Sequence, residues 1–252
     1  METKVTFIYD YQSIEIPEHY RTLTIPDIEP LVEAMCQELA AKQSSIELPE
    51  GQPHILTDEM VAREEIPGIE TVEDYRLRLR EALFESMADD LLHTILIKYV
   101  MPELVKRSTF EINDEEATRI SQQRLESFEK EAMEEGLTLE EAVRREVGTG
   151  SHQMDEGMSR QYMLHVSRTG YLFEILAREY YSRQGKTFDL ASYYGQVKSY
   201  ADLSGRPEEE IRELLPVHEY MALAPARTLL DEMSGWLAPQ ITLKLAAEDQ
   251  ED

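Results

Sequence analysis

The stretch Ile66-Pro67-Gly68-Ile69-Glu70-Thr71-Val72-Glu73-Asp74-Tyr75-Arg76, which then runs without Gly or Pro to Met101, decides the fold. Thr71 can cap a helix with Asp74 at the third position, close to a capping box, and acids fill the first turn where the helix dipole favours them. Tyr75, Leu79, Ala82 and Leu83 then recur at helical spacing among Arg76, Arg78, Arg80 and Glu81, which makes the first half one-faced. Further on, Leu91, Leu92, Ile95, Leu96, Ile97, Tyr99 and Val100 point in nearly all directions, so that half should be covered on several sides. With a kink at Pro102 and a finish near Lys106, the spacing predicts roughly 35 helical residues, about 50 Å of helix. That length implies an extended body.

Working outward, the N-terminal side carries Val5, Phe7, Tyr9 and Tyr11 in alternation, a weak strand signal. Pro17, Pro26 and Pro30 lead to a helix from Asp27 to Lys42, residues 44–56 read as a loop, and Thr57 opens a short helix. On the C-terminal side, strand-like Thr109-Phe110-Glu111-Ile112 precedes a helix that Asn113 caps and Gly136 stops. Thr138 caps the next. Gly148-Thr149-Gly150-Ser151 reads as a flexible hinge, after which Met158, Tyr162, Val166, Thr169, Phe173, Leu176 and Tyr180 mark a second long helix. A helix over Leu190–Leu203 stops at Ser204-Gly205-Arg206-Pro207, and Pro207 stands in a good first-turn position for the helix that follows. The last helix carries Val217, Tyr220, Met221, Leu229, Leu230, Met233 and Trp236 and is interrupted by Pro225; the tail from Ala246 to Asp252 is acidic and reads as disordered. Gly136 with Thr138, and Gly205 with Pro207, each precede an acidic helix start, an echo that suggests two similar helical hairpins.

The charge balance narrows the function. With 25 Lys and Arg against 51 Asp and Glu among 252 residues, the net charge is -26, which repels phosphate backbones and anionic lipid. Neither nucleic acid nor a membrane is an expected partner. The first residues show no secretory leader and no apolar run reaches membrane-spanning length, so a cytoplasmic protein is expected. Cys36, the single cysteine, lies among Leu31, Val32, Met35 and Leu39 and reads as a buried bystander.

The order of these parts resembles the C-terminal chaperone domain of bacterial trigger factor. The likeness rests on Leu56-Thr57-Asp58-Glu59 leading into Gly68-Ile69-Glu70-Thr71-Val72-Glu73-Asp74-Tyr75-Arg76. It continues in Phe110-Glu111-Ile112 before a helix ending at Gly136-Leu137-Thr138-Leu139-Glu140-Glu141, and in Arg206-Pro207-Glu208-Glu209-Glu210-Ile211-Arg212-Glu213-Leu214, and covers roughly residues 20–243. The resemblance implies a mainly all-α, elongated multi-helix body with a short N-terminal strand and two helical arms. In that reading the body takes residues 20–112 and 217–245, the arms take 113–150 and 151–216, and together they form one domain whose cradle binds unfolded or nascent chains without nucleotide. The ribosome-docking Gly-Phe-Arg-x-Gly loop has no counterpart, and only the loop at 44–56 stands where the prolyl isomerase domain would be inserted. Ribosome binding and isomerase activity are therefore not expected.

Enzyme readings find little support in the residues. Asp90 and His93 have the i, i+3 spacing of a carboxylate-bridged metal site but lack a second such pair. Gly185-Lys186-Thr187 mimics the end of a P-loop, yet follows a helix and lacks the earlier glycine. His19, His54, His93, His152, His165 and His218 show no paired ligand spacing. No enzyme activity, cofactor or metal is expected. Two classes remain: an ATP-independent holdase, or a dedicated interaction or assembly module using the same cradle for one folded partner or for self-association as a homodimer. Nearness to hinges and arm ends selects Met133, Met154, Met158, Tyr193, Tyr194, Tyr220 and Met221 as client-binding candidates, since Met repacks easily and Tyr joins apolar area to a polar tip.

Overall fold

Reciprocal caps start the central helix. In the computed structural model, which describes residues 2–44, 53–147 and 154–246, Thr71 N donates to Asp74 Oδ2 at 3.2 Å and Asp74 N donates back to Thr71 Oγ1 at 3.1 Å. From there α4 runs over Val72–Ile95, a wide π turn takes Leu96–Val100, and α5 takes Met101–Arg107. Pro102 cannot donate to the carbonyl four residues back and its ring crowds it; the π turn immediately before it absorbs that misfit, and Pro102 falls in the first turn of α5. Leu92, Ile95, Leu96 and Val100 are buried and Leu91, Ile97 and Tyr99 half-buried, as the dispersed apolar pattern requires. In the first half Leu79 is buried, whereas Ala82 is exposed.

Capping residues set most of the other elements. Preceding the central helix are β1 (Lys4–Phe7), α1 (Glu18–Arg21), β2 (Thr22–Ile25), α2 (Glu29–Gln43) and α3 (Asp58–Ala62). Following it are β3 (Thr109–Glu111), α6 (Asp114–Glu134), α7 (Leu139–Val147), α8 (Glu156–Arg183), α9 (Leu190–Ser204), α10 (Glu208–Leu214), α11 (Val217–Leu237) and β4 (Thr242–Leu245). The fold is mainly all-α, with only short strands. Asn113 accepts from Glu116 N at 3.3 Å to open α6, and Thr138 and Glu141 form a full capping box at α7. Gly136 and Gly205 end α6 and α9 with φ of 75° and 66°, a conformation glycine reaches without strain. Pro225 does not interrupt α11, which continues to Leu237. Alanines on either side favour helix, and the fully buried stripe of Leu229, Met233 and Leu237 outweighs one lost hydrogen bond. The expected hinge at 148–151, most of the loop at 44–56 and the tail beyond Ala246 lie outside the described residues.

Contacts divide the chain into two compact units, and not along the expected body and arms: one comprises Met1–Ile14 with Leu96–Gly235, the other Glu15–Ile95 with Trp236–Asp252. Both expected arms fall in the first unit. Within it α8 packs on α6 and α7, so it does not begin a separate arm. Buried Leu125, Val143 and Met163 join one helix each from α6, α7 and α8. Arg124 adds a bidentate pair to Glu174 at 2.7 and 2.8 Å. Antiparallel β1 and β3 bring the N-terminal strand to Thr109–Glu111. In the second unit β2 pairs in parallel with β4, Thr22 opposite Thr242, and Ile25, Ile28 and Ala88 pack beneath. There Val32, Cys36 and Leu79 join α2 to α4.

One polar network ties α8 to α11 inside the first unit. Tyr180 Oη donates to Glu232 Oε2 at 2.7 Å and Lys186 Nζ pairs with Glu232 Oε1. Burial pushes the Glu232 carboxyl up, but Lys186 and Tyr180 outweigh it and hold the pKa below the usual 4.5. Burial and the adjoining carboxylate push the Tyr180 phenol well above its usual range. A carboxylate depressed in the folded state contributes stability above its unfolded pKa and loses it as pH falls through the folded one. Glu232→Gln should therefore lower Tm most at neutral pH, and the gap to the unmodified protein should close as pH drops below 4.5. A gap that stayed constant down to pH ~3 would show that the Glu232 charge does not contribute.

Candidate functional site

The turn-rich end of the first unit, from Leu190 to Leu223, places apolar side chains on the surface. Asp189 opens α9 by accepting from Ala191 N at 3.0 Å and Ser192 N at 3.2 Å. The α9–Gly205–Pro207–α10 turn then folds α10 back, so that Tyr193, Val197 and Ala201 bury against Ile211. Tyr193 locks the arrangement: its hydroxyl donates to Leu215 O at 3.0 Å, and its ring lies 5.3 Å from those of both Tyr194 and Tyr220. Phe188 meets Tyr220 edge-on at 5.9 Å.

On this small core stand Leu190, Tyr194, Tyr200, Leu203, Leu214, Val217, Met221 and Leu223, which are half of the sixteen exposed large apolar residues among those described. Leu203 is 84% exposed and Leu214 63%. Single exposed apolar residues need no explanation, but a concentration in one short segment marks a binding surface or a liability. Acids line its edge. Glu208 and Glu210 are paired with Arg212 and Arg206 at 2.6 and 3.2 Å, exposed pairs that stabilise by about 1 kcal/mol or less.

The candidates chosen from sequence divide between two places. Tyr194 and Met221 lie on this surface, and Tyr220 is half-buried beneath it. Tyr193, at 4% exposure, is a core residue and leaves the candidate set. Its neighbours at i+4 and i+8 are also buried, which puts its ring on the inward stripe of α9. Met133 and Met158 are exposed on α6 and α8, while half-buried Met154 packs against the Leu125 cluster. Missing from the sequence selection were Leu190, Tyr200, Leu203, Leu214, Val217 and Leu223. The signal for Leu203 was present: it falls out of phase with the Tyr193–Val197–Ala201 stripe.

Groups suited to chemistry are scattered. Asp90 and His93 are both exposed on α4. Burial raises the Cys36 pKa, which keeps the thiol protonated and unreactive. Among the described residues no three His, Cys, Asp or Glu side chains are placed to hold a metal ion, and no helix is long and apolar enough to cross a membrane. No protein-family model matches the chain, and no curated protein matches it either.

Proposed function

We propose that the protein is an ATP-independent holdase, similar in mode to the chaperone domain of trigger factor, that binds unfolded or partly folded polypeptides through exposed apolar side chains. The observation that carries this reading is the concentration of exposed apolar residues between Leu190 and Leu223. Flexible Met and amphipathic Tyr and Leu on a small rigid core suit segments of varied sequence, because contact with them is non-directional. The high negative charge keeps such a surface soluble, since equal charges hold copies apart. No enzymatic step belongs to this proposal.

The test is light scattering from several unrelated denatured proteins, diluted with and without an equimolar amount of the protein and without ATP. Suppression of aggregation for all of them, retained at high salt, is the expected result, because salt screens charges and leaves apolar contact intact. Suppression confined to one partner and lost in salt would favour the second reading, a dedicated interaction module whose acidic edge meets a basic partner.

A further inference from the structure

Within this surface, Tyr200, Ser204, Arg206, Ile211, Leu214, Leu215 and Arg227 line a groove of about 380 Å³. Its lining carries two arginines and no acid, in a chain where acids outnumber bases two to one. Arg206 is taken by Glu210. Arg227 has no carboxylate partner among the described residues: it donates to neutral Gln196 Oε1 at 2.8 Å and lies over the Tyr220 ring at 5.5 Å. A guanidinium has five N–H donors, so Arg227 is held in place by one of them and by its flat face while the others remain to be used.

We infer that this groove takes the C-terminal residue of a polypeptide, with its α-carboxylate on Arg227 and an apolar side chain against Ile211, Leu214 and Leu215. The inference rests on reading this segment as a polypeptide-binding surface. Charge complementarity selects the occupant. An Asp or Glu side chain brings an anion without an apolar group, an internal Leu or Phe brings the reverse, and a C-terminal Leu or Phe brings both on one residue. The volume sits at the small end of ligand sites, about 300–1,000 Å³, which suits a chain end and not a folded element. A basic segment gains nothing from a lining of this sign.

The experiment is an anisotropy titration of the full chain against a fluorescein-labelled hexapeptide ending in Leu-Phe, as the free acid and as the C-terminal amide. The free acid should bind about tenfold more tightly, the worth of a charge-assisted hydrogen bond. Arg227→Gln should bring the two affinities together by weakening the acid alone. Because Arg227 also steadies Gln196 and Tyr220, a second variant, Leu214→Glu, tests the groove at an exposed position and should weaken the acid more than the amide. Equal affinities for acid and amide would overturn the inference and leave the polypeptide surface standing. So would a lack of binding to either peptide while aggregation suppression persists. Loss of both would overturn the surface reading beneath it. Tighter binding of dodecanoate than of the free-acid peptide would make a fatty acid the occupant and overturn the assignment to a chain end.

Discussion

Changing Tyr194, Leu203, Leu214 and Met221 together to Ser should abolish most of the holding activity while Tm shifts by only a few degrees. These side chains are 52%, 84%, 63% and 46% exposed, so their removal takes little from the folded state; exposed substitutions usually fall within about 0.5 kcal/mol each. The largest structural loss is the Arg212 guanidinium over the Tyr194 ring at 5.7 Å, about 0.5–1 kcal/mol at an exposed site. On the binding side, each side chain brings apolar area that a client would cover, and full burial of a large one is worth about 1.5–3 kcal/mol. Even half of that from four positions exceeds about 3 kcal/mol, more than a hundredfold in affinity. Light scattering with a denatured client reads the loss, and calorimetry reads the stability. A variant that holds clients as well as the unmodified protein would exclude this surface.

Two adjacent tyrosines should respond in opposite ways. Tyr193→Ser should destabilise by about 3–5 kcal/mol, the range for emptying an aromatic site in a core, whereas Tyr194→Ser should stay within about 1 kcal/mol. Tyr193 packs against Val197, Ala201 and Ile211, and its hydroxyl is the donor to Leu215 O. Removing it leaves a cavity and strips that carbonyl of its partner where α10 ends. Urea denaturation gives the two values, and amide exchange in α9 and α10 locates the loss. Equal effects at the two positions would mean that the inward stripe of α9 is misassigned.

Local chemistry made most helix boundaries legible. Thr71 with Asp74, Asn113, Thr138 with Glu141, Gly136 and Gly205 each act within a few residues of sequence, and each appears in the structure where its side chain or φ requires. What escaped depends on distant partners. The β2–β4 pair consists of four-residue strands at opposite ends of the second unit, and neither Thr22-Leu23-Thr24-Ile25 nor Thr242-Leu243-Lys244-Leu245 is long enough to reveal its partner. The candidate surface was half legible for a similar reason. α9 carries apolar residues on several sides, so periodicity alone could not separate Tyr193 from Tyr194; only the position of Ile211, brought back by the turn at Gly205, decides which faces inward.

The parallel pairing of Thr22 with Thr242 also bears on how the chain is made. Both units are discontinuous in sequence: the segment Leu96–Gly235 interrupts one, and Glu15–Ile95 interrupts the other. During synthesis, at about 5–20 residues per second, β1 must wait for β3, and β2 must wait through almost the whole described chain for β4. Until then the edges of β1 and β2 stay unpaired and apolar Ile25 and Ile28 lack their cover from Leu243 and Leu245. A ribosome stalled before residue 242 would thus present a nascent chain whose second unit cannot close, itself a candidate client for the finished protein.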